Sequence, residues 1–191
     1  MTKIAILASH NGSGFSALYE AALKKEIAIE IVLVISNNAN AAALQKAAKY
    51  TIDNFVVNSK TDENPDEKIE ELLREYDCKH IFLSGYMKKV GDNITKNFQV
   101  INSHPSLLPN YGGTGMYGRH VHEAVIHNRE KKSGVTIHEV NAEYDSGKII
   151  LQKELKLSID ESVDSLEVRI KKLEQSAIVE AFKKYLKQPR P

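Results

Sequence analysis

Three clusters of polar residues in this 191-residue chain could hold an oxyanion, move a proton or bind a phosphate. The first is Asn102-Ser103-His104-Pro105-Ser106-Leu107-Leu108-Pro109. Asn102 and His104 are two apart, so at a strand end their side chains leave the same side and share one space. An amide donor there can hold an oxyanion, and a titratable ring beside it can manage a proton. The second is Asn141-Ala142-Glu143-Tyr144-Asp145-Ser146-Gly147, where Asp145 offers a carboxylate or simply forms an Asx-type turn. His138, shortly before it, is either a supporting group or an ordinary strand histidine. The third is Gly12-Ser13-Gly14-Phe15-Ser16-Ala17, a glycine-rich turn into a helix. Free backbone N–H groups and the helix dipole attract phosphate at such a turn. Its bland reading is a tight connection with Ser13 as the helix cap.

Other chemistries fit less well. The third cluster matches G-x-G-x-x-A, but a dinucleotide site also needs an acidic residue about 20 positions on to meet the ribose hydroxyls. Val34-Ile35-Ser36-Asn37-Asn38 stands there instead. His120, His122 and His127 are spaced two and five apart, which does not give the i, i+4 ligand pairs of a helical metal site, so no metal is expected. These three read as surface or loop-contacting residues. The single Cys78 can make neither an intrachain disulfide nor a cysteine-rich zinc site and reads as a small apolar residue. Lys and Arg total 26 against 25 Asp and Glu, which argues against a broad nucleic-acid surface. No apolar run approaches the roughly 20 residues that cross a bilayer. The amino terminus lacks the pattern of a secretory signal, so a cytoplasmic protein is expected.

These groups need a frame. Strands are expected at Lys3–Ala8, Ile27–Ser36, Ile52–Val57, His80–Ser84 and Gln99–Asn102, alternating with helices at Phe15–Lys25, Ala39–Tyr50, Pro65–Glu75 and Asp92–Asn97. Phe15, Leu18, Ala22 and Leu23 recur at helical spacing in the first helix. Such alternation implies a Rossmann-like α/β fold: an open, mostly parallel sheet with helices on both faces. Beyond Asn102 the pattern changes to a loop over His104–Gly118, a helix near His120–Asn128, and strands at Ser133–Val140 and Ile149–Leu155 that can be antiparallel additions at one edge. Ser162 caps a long amphipathic helix running to about Leu186, with Leu166, Val168, Ile170, Leu173, Ala177, Ile178 and Phe182 as its apolar contacts. One domain over 1–186 and a frayed tail over 187–191 is the economical division.

Taken together, the N-S-H-P-S-L-L-P run at 102–109 and the downstream Asp145-x-Gly147 resemble the signature of the folate-dependent formyltransferases. The likeness covers nearly the whole chain. Asn11-Gly12-Ser13 is similar to the family's phosphate loop, and Ser36-Asn37 with Ala41, Leu44 and Ala47 to its second strand–helix junction. Gly85-Tyr86-Met87 is similar to its folate-pocket strand end, and Gly134-Val135-Thr136-Ile137-His138 to the strand before its catalytic Asp. The short length matches members that formylate glycinamide ribonucleotide. The resemblance implies catalysis by Asn102, His104 and Asp145, with His138 as possible support. It implies a 10-formyltetrahydrofolate site lined by Met87, Lys88, Lys89 and Val90 and by Asn102, Asn141, Ala142, Glu143, Tyr144 and Asp145. Ribonucleotide phosphate and ribose contacts fall to Asn11, Gly12, Ser13, Gly14, Lys171 and Glu174. Two residues depart from the family pattern: Gly14 stands where Asn is usual, and Lys88 where Arg is commoner, without its bidentate fork. The Tyr111–Gly118 stretch is longer than in many relatives.

The implied activity is formyl transfer from 10-formyltetrahydrofolate to the amine of glycinamide ribonucleotide, in purine synthesis, by a monomer or weak homodimer with small-molecule partners and no membrane or nucleic acid. Another amine, such as an amino-sugar nucleotide or initiator methionyl-tRNA, is the nearest alternative, and a non-catalytic folate- or nucleotide-binding relative is a further one. The tRNA version usually carries an extra C-terminal domain. In the implied mechanism Asn102 and a protonated His104 stabilise the oxyanion, and Asp145 raises the imidazole pKa above its ordinary value of about 6.5. Asp145 can also take a proton from the amine through water. Gly112, Gly113, Gly115 and Gly118 suggest a mobile flap over the substrates.

Overall fold

The computed structural model describes residues 1–187. The tail expected over 187–191 therefore lies, apart from Lys187, outside the described residues. The chain divides into two compact units, residues 1–101 and the part from Asn102 onward.

In the first unit, β1 (Thr2–Leu7), β2 (Ile29–Ser36), β3 (Asp53–Val56) and β4 (His80–Leu83) alternate with α1 (Ser13–Leu23), α2 (Ala42–Lys49), α3 (Pro65–Glu75) and α4 (Asp92–Asn97). β1 pairs in parallel with β2 and β4, and β2 with β3. Ile4 through Leu7 are all fully buried, as are Leu33, Val34 and Ile35 of β2. Strands covered on both faces read in sequence as continuous apolar runs rather than alternating ones. α3 begins where its sequence dictates: Pro65 occupies the first turn, and the Asn64 side chain accepts from the Glu67 N–H at 3.4 Å.

β5 (Gln99–His104) runs two residues past its expected end at Asn102, so His104 belongs to the strand and not to the loop. The second unit continues with α5 (Arg119–His127), β6 (Lys132–Glu139), β7 (Ile149–Lys156) and α6 (Val163–Tyr185). β6 and β7 are antiparallel, as the sequence suggested. The sheet has seven strands in the order β3-β2-β1-β4-β5-β6-β7, flanked by helices. Ser162 caps α6, its hydroxyl accepting from the Ser165 N–H at 3.1 Å. α6 packs on α5, β6 and β7 through Leu166, Ile170, Ala177, Ile178 and Phe182.

Three expectations are corrected. Val168, on the outer face of α6, is 69% exposed, and Leu23 at the end of α1 is 65% exposed, because each lies just beyond the arc of its helix that meets the sheet. Ser13 does not cap α1. Gly12 holds the cap position with φ 61°, and Ser13 is already helical. A left-handed residue at this turn favours glycine, and the Ala43 Cβ lies 3.1 Å from where a Gly12 side chain would begin. His122 is buried, while His120 and His127 are exposed.

Candidate active site

β5 sorts the residues of the Asn102-Ser103-His104 run by alternation. Asn102 Nδ2 lies 3.2 Å from His138 Nε2, on β6. Ser103 takes the opposite face, where its hydroxyl donates to Glu174 Oε1 of α6 at 2.6 Å. His104 returns to the side of Asn102, is buried, and faces Asp145 with Nδ1 3.6 Å from Oδ2.

The ring nitrogens are assigned by their partners. His138 Nδ1 donates to the Glu139 carbonyl at 2.8 Å, which leaves Nε2 to accept from the Asn102 amide. Asn102 therefore turns its amide nitrogen to His138 and keeps a second N–H with no partner among the described residues. His104 Nε2 donates to the Tyr111 carbonyl at 2.7 Å, so Nδ1 is the nitrogen left to exchange a proton. Asp145 Oδ2 accepts from the Gly113 N–H at 2.9 Å and faces His104, while Oδ1 stands 3.5 Å from His138 Nε2. Gly147 makes this turn possible. A Cβ there would lie 1.7 Å from the Glu139 carbonyl oxygen, so no other residue lets the connection close so tightly onto the end of β6.

The electrostatics differ from the sequence expectation. Burial lowers the His104 pKa below its ordinary value and prevails over Asp145 and the Tyr111 carbonyl, which raise it. Sequence shows that a carboxylate is near, but not how dry the ring is. For Asp145 the balance goes the other way. Burial would raise its pKa, yet the His138 contact, the charge of His104 and the Gly113 N–H together hold the carboxyl below the usual range. The free chain thus presents an ionised carboxylate beside a neutral, proton-accepting imidazole.

In the first unit the Gly12–Gly14 turn opens α1. Among the described residues, the backbone N–H groups of Asn11, Gly12, Ser13 and Gly14 have no partner, whereas the next one, that of Phe15, donates to Ser84 Oγ at 3.0 Å. Ser9, just upstream, accepts from the Met87 N–H at 2.7 Å and donates to Asn37 Oδ1 at 2.5 Å.

Residues 2–182 match the family described as formyl transferase. The chain belongs to that family. It is 30% identical over 184 residues to the chloroplastic phosphoribosylglycinamide formyltransferase of Arabidopsis thaliana, covering 93% of this chain and 63% of that one. The chain thus spans less than two thirds of the plant relative. It is 34% identical over 179 residues to the phosphoribosylglycinamide formyltransferase of Haemophilus influenzae, covering 91% and 82% of the two. The crystal structure of the Bacillus halodurans enzyme of the same name superposes with TM-score 0.90 at 26% identity, over 98% of this chain and 96% of that one.

In the first-unit segment expected to meet folate, Met87, Lys88 and Lys89 are exposed and Val90 is buried, and neither lysine makes an ion pair among the described residues. In the second unit Asn141 Oδ1 accepts from the Glu143 N–H and the Ser146 hydroxyl, so its side chain shapes the turn. Ala142, Glu143 and Tyr144 are exposed on that turn. Lys171 is exposed and pairs with Glu167 at 2.5 Å. Glu174 lies against Ser103 and not against His104. Burial raises its pKa, partly offset by the Ser103 hydroxyl and Lys171. Sequence reasoning missed the Tyr111 carbonyl and the Gly113 N–H, because backbone groups carry no residue-type signal; Ser9 had only its place before the glycine turn. Among the described residues, no helix is long and apolar enough to cross a membrane.

Proposed function

We propose that this chain, with residues 1–186 as one formyltransferase domain, moves the formyl group of 10-formyltetrahydrofolate to the primary amine of glycinamide ribonucleotide, a step of purine biosynthesis. The observation that carries the reading is the arrangement of an uncommitted Asn102 N–H, an uncommitted His104 Nδ1 and an ionised Asp145 around one strand end. That donor set fits a formyl group, which needs a donor for its oxygen and a proton acceptor for its attacker. Relatives named for this reaction at 34% identity support the choice of substrate.

The co-substrate supplies an electrophilic formyl carbon. Asn102, turned by His138, offers its second N–H to the formyl oxygen, where negative charge develops; a single such donor is worth roughly 10²–10³ in rate. His104 is kept neutral by burial and takes a proton from the attacking amine at Nδ1. The charge building on the formyl oxygen and the Asp145 carboxylate both favour the imidazolium at that moment. As the new carbon–nitrogen bond forms and the bond from carbon to N10 breaks, the same proton passes from His104 to N10. Protonated His104 is thus a transient species and not the resting state of the free chain. In the first unit, the N–H groups of Asn11 to Gly14 suit the ribonucleotide phosphate, and Lys88 and Lys89 suit the folate carboxylates.

The test is an absorbance assay of folate deformylation with glycinamide ribonucleotide compared against amino-sugar nucleotides. Turnover with the ribonucleotide is expected. Activity with an amino sugar alone would overturn the choice of substrate, and none with either amine would overturn the reaction.

A further inference from the structure

Lys46 of α2 is half-buried, and its Nζ donates to the carbonyl of Asn11 at 2.7 Å. It has no carboxylate partner among the described residues. A lysine near the end of a helix ordinarily serves the helix dipole by reaching its last carbonyls or solvent. Lys46 instead leaves α2 for the glycine turn. Burial without a counter-ion lowers its pKa.

The contact has a geometric consequence. In a trans peptide the carbonyl of one residue and the N–H of the next point in opposite directions. Lys46 draws the Asn11 carbonyl toward α2, which turns the Gly12 N–H away from it. One peptide earlier, the Ala43 N–H of the same helix donates to the His10 carbonyl at 3.0 Å, which turns the Asn11 N–H away likewise. α2 thus holds two successive carbonyls and leaves two successive N–H groups facing outward, continuous with those of Ser13 and Gly14. Four unpaired N–H donors and one cation lacking a counter-ion converge on one turn.

We propose that Lys46 is a positioning residue for the ribonucleotide phosphate: it fixes the Asn11–Gly12 peptide and supplies the positive charge that the bound phosphomonoester neutralises. This rests on reading the turn at residues 11–14 as a phosphate site. The sequence offered no hint of it, since Lys46 is one of several lysines and lies 35 residues from the carbonyl it holds.

The experiment measures steady-state kinetics with both substrates, and calorimetric binding of ribose 5-phosphate, for the wild type, Lys46→Met and Lys46→Arg. Hydrogen bonds to charged groups are worth about 1.5–3 kcal/mol, so Lys46→Met should weaken ribose 5-phosphate binding and raise the ribonucleotide KM by roughly ten- to a hundredfold. The folate KM and kcat should stay near the wild-type values, and Lys46→Arg should recover most of the lost affinity. Loss of kcat together with a rise in both KM values would mark a merely structural role and overturn the proposal. Unchanged ribose 5-phosphate binding in Lys46→Met would overturn it while leaving the phosphate turn intact. If the wild type does not bind ribose 5-phosphate, and Gly14→Val leaves the ribonucleotide KM unchanged, the turn itself is not a phosphate site and both readings fall.

Discussion

Replacing Asp145 by Asn isolates the charge in the proposed mechanism. The amide keeps an oxygen to accept from the Gly113 N–H, so the turn retains its 2.9 Å anchor and the fold should survive. What is lost is a unit charge 3.6 Å from His104 Nδ1. At an effective dielectric near 20, that separation corresponds to about 4.6 kcal/mol between full charges. The imidazolium exists fully only near the transition state, so the loss in kcat should be roughly 10²–10³. The KM values should change little, because the interaction strengthens only as the proton moves. NMR titration of the free chain gives a second readout. His104 should titrate below 6.5 in the wild type, since burial prevails, and lower still in Asp145→Asn, since the group that opposes burial is gone. Turnover within a few-fold of wild type would refute the argument. So would a His104 titration that moves upward on removal of the carboxylate.

Two further outcomes follow from the same geometry. Gly147→Ala places a Cβ 1.7 Å from the Glu139 oxygen and must open the Glu139 N–H to Lys148 carbonyl bond of 2.9 Å. Overpacking and the lost bond together should cost about 2–4 kcal/mol, seen as a Tm lower by roughly 5–15 °C and as a loss of kcat through the displaced Asp145; an unchanged Tm would contradict it. Burial is the largest cause lowering the pKa of both His104 and His122, so their contribution to stability is full above about pH 6.5 and is lost as pH falls through their folded values. The urea midpoint should therefore drop between pH 8 and pH 5, with Asp145, also lowered, adding to the loss further into acid; a midpoint equal or higher at pH 5 would be inconsistent with two buried neutral imidazoles.

Periodicity located the elements well where local rules act alone. Pro65–Glu75 and Asp92–Asn97 coincide with the helices expected, and for the first a first-turn proline and the Asn64 cap fix the start without help from distant residues. The end of β5 was misjudged because Ser103-His104-Pro105 has the composition of a loop, while its strand pairing depends on neighbours far away in sequence. The motif at 102–109 and Asp145 were legible as chemistry, and the structure joins them through His138. The protonation of His104 was not legible, because residue types show which charges are present but not how much water reaches them. Nor could spacing show that Ser103 meets Glu174, 71 residues away, or that Lys46 reaches Asn11.

Among the described residues of the second unit, three non-glycine residues have positive φ: Arg129, which follows α5, and the two that touch His104. Tyr111 and Asp145 both have positive φ, 57° and 54°, which a bulky aromatic adopts only at a cost of about 1–3 kcal/mol and an aspartate somewhat more readily. Tyr111 supplies the carbonyl that takes Nε2–H, and Asp145 the carboxylate that faces Nδ1. Each is held by contacts of its own. The Tyr111 hydroxyl donates to Glu130 at 2.7 Å and accepts from Asn128 at 2.9 Å, and the Asp145 carboxylate accepts from the Gly113 N–H. Relaxing either φ would rotate a backbone group away from the ring: the carbonyl at Tyr111, or the peptide that aims the carboxylate at Asp145. The surrounding bonds therefore hold the ring in one tautomer, with Nδ1 as its single uncommitted nitrogen. A less strained loop could still bring an imidazole and a carboxylate together, but it would not decide which nitrogen exchanges the proton.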